Sequence, residues 1–220
     1  MRAWSDKTSV VTHGTERDSI YPITAGTGVF YSLAGEVQNA RGRTAQRGEI
    51  YRNGKGWWWP EPWGCWIRNQ GPATLAFVVL DSDNAKIRLY LGVRGVQGHE
   101  SIGVIQTSDG QRIKVPLLSD EERTITITLK PSPARERQIV LTFTSNVVAD
   151  FRASTKGRDF RVCGLGVKWF YVCREDDIEA RLAFVSTALM DEAIWSGFKK
   201  KEEKSLKTGT LPPVLMARYN

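Results

Sequence analysis

Residues 86–93 read KIRLYLGV. Ile87, Leu89, Leu91 and Val93 occupy every second position, so an extended chain sets all four on one face. That period of two marks a strand with one covered side. Neighbouring stretches repeat it. TITITLK at 124–130 aligns Ile125, Ile127 and Leu129, and QIVLTFT at 138–144 aligns Ile139, Leu141 and Phe143. CGLGVKWFYVC at 163–173 puts Leu165, Val167, Trp169 and Tyr171 on one face. ATLAFVVL at 73–80 is apolar throughout and suits a strand covered on both faces. IGVIQTSDGQRIKVPL at 102–117 reads as a hairpin, with Asp109-Gly110 supplying the positive φ values of a tight turn.

Further strands are expected near 28–34, 48–53 and 64–68. No helical pattern intervenes, which excludes βαβ crossovers. The expected fold is all-β: an antiparallel jelly-roll-like β-sandwich of about 8–9 strands with a C-terminal α-helix. The helix is expected over 177–197. Ile178, Leu182, Val185 and Leu189 recur at helical spacing behind Asp176 and Asp177, which suit a helix N-terminus. The organisation reads as a loose segment at 1–24, the sandwich at 25–174, the helix at 175–198 and a basic tail or linker at 199–220.

The chain has 220 residues and a formal charge of +7. Residues 199–220 carry six cations against two carboxylates, a net +4, which leaves +3 for everything before them. A basic face is the footprint of nucleic acid, and this distribution argues against that partner. No apolar run is long enough to insert in a membrane. The polar N-terminus lacks an apolar signal region, so a cytoplasmic location is expected. Three cysteines, at 65, 163 and 173, leave at least one unpaired. Cys163 and Cys173 lie too far apart along one strand to bridge unless the run folds back. No Cys or His spacing indicates zinc, and neither a metal nor a cofactor is expected.

Five of the eight tryptophans fall in GWWWPEPWGCW at 56–66. Pro60 and Pro62 remove two amide donors, so this is no central strand but a stiff loop or edge. Gly56 and Gly64 let other groups come close to the backbone. Trp66 belongs in the core, and Trp63 serves either there or at the surface. Along an extended chain Trp57 and Trp59 point one way and Trp58 the other, so at least one of the three is expected in water. An exposed, rigid indole suits the C–H face of a sugar, whose hydroxyls then need polar partners. Trp57, Trp58, Trp59, Glu61 and Trp63, with Arg52, Asn53 and Arg68 beside them, form the candidate carbohydrate-binding group, with Asn69 a further flanking residue. Nucleobases would stack on similar rings, but the modest charge disfavours them.

GKGWWWPEPWGCWIRNQGPATLAF at 54–77 resembles the G-W-x-x-P-E-x-W-G-x-W signature of a β-sandwich accessory domain. That domain accompanies bacterial glycosyltransferases and membrane enzymes of surface-polysaccharide assembly. Gly56, Trp57, Pro60, Glu61, Trp63, Gly64 and Trp66 match the motif. LYLGVRGV, VIQTSDGQRIKVPL, IVLTFTSNVVADF and KGRDFRVCGLGVKWFYV follow in the family's order, so the similarity covers about 25–173. Lys55 replaces the family's acidic residue, and no proline follows Ser145. The resemblance implies a jelly-roll-like sandwich in a polysaccharide context, beside a glycosyltransferase. It implies no catalytic domain in this chain.

Of two histidines, His13 lies in the loose start and His99 reads as a turn residue. No nucleophile, phosphate loop or metal cluster stands out. Glu49 and Glu61 could be a glycosidase pair, yet 24 acids always offer some pair. Asp159 and Arg161 read as a structural ion pair. The sequence therefore indicates a non-catalytic carbohydrate-binding accessory module of bacterial polysaccharide biosynthesis, its partner an oligo- or polysaccharide. The alternative is a protein–protein module, docking a glycosyltransferase or forming a homo-oligomer through the tryptophan loop or the helix. That alternative predicts an exposed stripe drawn from Leu182, Leu189, Trp195 and Phe198.

Overall fold

A computed structural model describes residues 20–24, 30–35, 46–68, 70–80, 82 and 84–190. The basic tail, His13, Asn69, Trp195, Phe198 and the side chain of Leu189 lie outside the described residues.

Two sheets face each other over one apolar core. The first contains β1 (Tyr21–Thr24), β6 (Ala73–Leu80), β11 (Arg137–Ser145), β8 (Ser101–Thr107) and β9 (Arg112–Leu117) in that spatial order, with the short β4 (Arg52–Asn53) also on β6. The second runs β10 (Glu122–Leu129), β7 (Ile87–Arg94), β14 (Gly166–Arg174), β2 (Phe30–Ser32) and β3 (Gln46–Arg47), with β5 (Cys65–Trp66) also on β14. The expected β-sandwich is thus what the chain forms. Its sheets are mixed rather than purely antiparallel, because β1 runs parallel to β6 and β3 parallel to β2. β1 also falls inside the stretch read as loose: Ile23 is buried between its polar and half-apolar neighbours, a signal of one residue.

The alternating stretches fill the core as their period dictates. Ile87, Leu89, Leu91 and Val93 are fully buried, as are Ile139 and Leu141. β14 departs from simple alternation. Val167 pairs with Val93 and Trp169 with Gly92, so Lys168 is an extra residue. This bulge exchanges the strand's faces. Leu165 and Val167 point into the sandwich before it, and Phe170 and Val172 after it. Trp169 and Tyr171 therefore face outward, contrary to the expected single face. Buried Lys168 binds Glu122 at 2.6 Å.

The outward aromatics form a second core under α2 (Ile178–Met190). Asp177 caps the helix by accepting from the Ala180 amide at 2.8 Å. Phe184 stacks on Tyr90 with ring centres 3.8 Å apart, and on Phe30 at 5.7 Å. The helix packs through Ala180 and Phe184, whereas Ile178, Leu182 and Val185 stand in water. The face expected to be apolar is the exposed one. Both stripes have helical spacing, and the aromatic floor takes the aromatic ring.

The 102–117 hairpin forms with Gln106 opposite Arg112. Only Gly110 has a positive φ, at 88°. Asp109 keeps an ordinary backbone because Thr107 and Gln111 hold its carboxylate. The turn is therefore a three-residue one with a left-handed glycine, rather than a two-residue turn needing positive φ twice.

Candidate functional site: an aromatic corner

The tryptophan segment connects the two sheets. It leaves the first sheet at β4 and enters the second at β5. Between them the chain doubles back. Trp57 bridges Ile67, the Trp58 amide donates to the Trp66 carbonyl at 3.0 Å, and the Arg68 amide donates to the Gly56 carbonyl at 2.8 Å. Glu61 and Gly64 close the tip with a pair of backbone bonds. The prolines sit where no ladder bond is needed. Glycine is required at two points by close approach. A Cβ on Gly56 would lie 2.5 Å from the Ala73 nitrogen, and one on Gly64 would lie 2.5 Å from the Val167 oxygen.

The five indoles divide into anchors and surface. Trp57 turns inward onto Phe143, ring centres 5.7 Å apart, and its N–H is shared by the carbonyls of Asn53 and Thr74 at 3.1 and 3.0 Å. Trp66 is buried, packed edge-on to Trp63 at 4.7 Å and to Phe151 at 5.8 Å. Trp63 donates to Glu61 Oε2 at 2.6 Å and lies under the Arg94 guanidinium. Trp58 is half-buried and donates to the Val162 carbonyl at 2.9 Å. Trp59 is 51% exposed. Strict alternation of 57, 58 and 59 does not hold, because Trp58 and Trp59 meet edge to face at 5.2 Å.

A distant segment completes the corner. β12 (Ala149–Asp150) pairs with β13 (Val162–Cys163), and the excursion between them begins with a helical turn, α1 (Phe151–Ser154), capped by Asp150. It brings Phe160 to 6.0 Å from Trp59 and 6.2 Å from Trp58. Phe160 is 63% exposed. A hundred residues of sequence and a polar setting separate it from the tryptophans, and the signal the sequence offers is Asp159 and Arg161 on either side of it.

Arg161 joins the two segments. Its guanidinium binds Asp159 through Nε and Nη2, with bonds of 2.9 and 2.6 Å, and binds Glu61 through Nη1. It also lies 5.1 Å from the centre of the Trp59 ring and 5.8 Å from that of Phe151. The hydrogen bonds from Arg161 hold the Asp159 carboxyl below its ordinary value, and Asp159 followed by Glu61 raises the guanidinium's own. The sequence's structural ion pair is present, with Glu61 as a third member.

This arrangement changes the roles of the flanking candidates. Both Glu61 oxygens are engaged, one by Arg161 and one by Trp63. Arg52 points into the hairpin, donating to the Trp58 carbonyl at 3.2 Å and to Cys65 Sγ at 2.9 Å. Asn53 gives its carbonyl to Trp57 and Thr74, and its side-chain amide is buried. Arg68 lies 5.4 Å from the centre of the Trp58 ring and donates from Nε to the Lys55 carbonyl. Its terminal amines have no partner among the described residues.

Two surface concavities lie elsewhere, one bordered by Ile102, Pro116 and Leu118, the other by Gln106, Val140 and Thr142. Among the described residues no three His, Cys, Asp or Glu side chains gather to hold a metal ion, and no helix is long and apolar enough to cross a membrane. All three cysteines are free and buried, and burial pushes the Cys163 thiol up to about 12 and Cys173 to about 11. Glu49 pairs with Arg47 at 3.0 Å, so both carboxylates considered for a glycosidase pair are engaged by arginines.

No family model matches the chain, and no curated protein matches it. Among solved structures it is similar to CBM35 from Cellvibrio japonicus Abf62, at 11% identity and a TM-score of 0.29, over 65% of this chain and 84% of that one. It is also similar to a glycoside hydrolase family 43 arabinoxylan arabinofuranohydrolase from Bacillus subtilis in complex with cellotetraose, at 12% identity and a TM-score of 0.29, over 50% of this chain. An Arthrobacter globiformis T6 isomalto-dextranase complexed with panose follows at 11% identity and a TM-score of 0.27, over 55% of this chain. The chain spans 20% and 22% of the lengths of the latter two.

Proposed function

We propose that this protein is a non-catalytic carbohydrate-binding module and that its glycan rests on Trp59 and Phe160. The observation that carries the reading is the pair's exposure on a fixed mount: 51% and 63% of two large rings stand in water. Unpaired apolar rings in water are unfavourable by about 25 cal/mol per Å² unless something covers them, and contiguous exposed patches mark binding sites. A pyranose covers an aromatic face with its C–H groups and leaves its hydroxyls to water or to a nearby donor. The setting in bacterial polysaccharide assembly, beside a glycosyltransferase, is supported by the resemblance of the motif at 54–77.

The test is a glycan array probed with wild type, Trp59→Ala and Phe160→Ala. Wild type should bind a subset of glycans, and both variants should lose that signal while melting at the wild-type temperature. An array on which wild type binds nothing defeats the proposal. A second reading, docking onto a protein, is favoured by α2, where Ile178 and Leu182 are 65% and 62% exposed. A change of mass on size-exclusion chromatography that Leu182→Glu abolishes would support it.

A further inference from the structure

We infer that the corner takes a single soluble glycan chain, at an end or a bend, and not the flat face of a crystalline polysaccharide. The inference rests on the carbohydrate reading above and specifies its ligand class.

The argument is the angle between the rings. Parallel chains on a crystal face present their sugar rings in one plane. A surface that binds such a face needs aromatic rings that are coplanar with each other. Here Trp59 and Phe160 are tilted by 59°, Trp58 and Trp59 by 76°, and Trp58 and Phe160 by 77°. Whichever ring lies flat on a plane, the other two are inclined to it by 59° or more. A free chain has no such restriction, because rotation about each glycosidic bond lets successive rings turn to successive faces.

The tilt cannot be removed by small rotations. Trp58 is tied through its N–H to Val162, and the inner face of Trp59 rests on Arg161, itself held by Asp159 and Glu61. The backbone on both sides of Phe160 is also fixed: the Asp159 amide donates to Thr155 Oγ1 at 2.8 Å, the Arg161 amide to Asp159 Oδ1 at 3.0 Å, and the Arg161 carbonyl accepts from Phe151 at 2.9 Å. Bringing all three rings into one plane would mean turning Trp58 off the Val162 carbonyl or Trp59 off Arg161.

The polar contact follows from what is left over. Glu61, Arg52 and Asn53 are directed inward, so Arg68 is the flanking candidate whose terminal amines have no partner among the described residues. A guanidinium only donates. It would bind a sugar through an oxygen, whether a hydroxyl, a ring oxygen or a carboxylate.

The experiment compares two kinds of probe with the full chain. Depletion from solution is measured on microcrystalline cellulose and on crystalline chitin. Affinity is measured calorimetrically for soluble cello-, xylo-, manno-, chito- and isomalto-oligosaccharides. Binding to at least one soluble series without depletion by either solid is the expected result. Trp59→Ala and Phe160→Ala should each weaken that binding by about tenfold or more, and Arg68→Ala by about two- to tenfold, the range of one hydrogen bond. Depletion by either solid at affinity equal to the soluble chains overturns this inference and leaves the carbohydrate reading standing. Binding to neither kind of probe overturns both. Soluble binding that Trp59→Ala and Phe160→Ala leave unchanged overturns the location.

Discussion

The tryptophan corner and helix α2 both keep apolar side chains in water, and they support them differently. At the corner every exposed ring is backed by a specific contact. Trp58 has a backbone carbonyl, Trp59 has a guanidinium, and Phe160 lies in a peptide pinned on both sides. On α2 the exposed Ile178, Leu182 and Val185 have only the helix beneath them, and the helix is seated by Ala180, Phe184 and one bond from the Tyr171 hydroxyl to the Ala180 carbonyl at 2.8 Å. The corner is thus preorganised, which lowers the entropic cost of binding. The helix is therefore expected to open before the sandwich does.

Five measurements would break or sharpen this contrast. Trp57→Ala should cost about 3 kcal/mol in urea unfolding, the low end for truncating a large core aromatic, because Trp57 is partly buried against the core, while Trp59→Ala should stay within about 1 kcal/mol. Equal costs would abolish the division of the segment into anchor and surface. Arg161→Met should cost about 3 kcal/mol, because it leaves two mostly buried carboxylates without their cation, and should flatten the near-ultraviolet dichroism of the tilted rings. Phe184→Ala should cost about 2 kcal/mol and speed amide exchange in α2, leaving β7 and β11 protected. A global loss of protection would show that helix and sandwich form one unit. Asp177→Ala removes the helix cap and should cost about 1 kcal/mol.

The fifth measurement uses acid. Arg161 holds the Asp159 carboxyl below its ordinary 3.8. Its stabilising effect is therefore complete above the unfolded value of about 3.9 and disappears as pH falls through the lower native one. Unfolding midpoints followed from pH 7 down to pH 2.5 should show a fall that Asp159→Asn makes shallower. Identical slopes in the two proteins would remove the ion pair from the account.

The sandwich was legible where one rule governs a strand. Ile87, Leu89, Leu91 and Val93 needed only the period of two, and all four are buried. Where two rules compete, the sequence misleads. The bulge at Lys168 adds no unusual residue but exchanges the faces of Trp169 and Phe170. Helix α2 has two stripes at helical spacing, and the choice between them lies with aromatics on β2, β7 and β14. At the corner, the exposure of at least one of Trp57, Trp58 and Trp59 is expected from alternation along an extended chain, and Trp59 is exposed although that alternation is not strict. Phe160 did not follow, because its partners are distant in sequence. The inward turn of Glu61 was equally hidden, since Arg161 is brought to it only by the pairing of β12 with β13.

The route of the tryptophan segment from β4 to β5 has a consequence for the order of folding. One arm is fastened to the first sheet and the other to the second. The first sheet alone can seat Trp57, through Phe143, Asn53 and Thr74, but the other arm, with Trp66 opposite Gly166, needs β14 of the second sheet in place. The aromatic surface can mature only at the last stage, when both sheets have closed on each other. Ligand capture during refolding is accordingly a clock for completed tertiary structure, and it should lag behind the appearance of β-signal in the far ultraviolet.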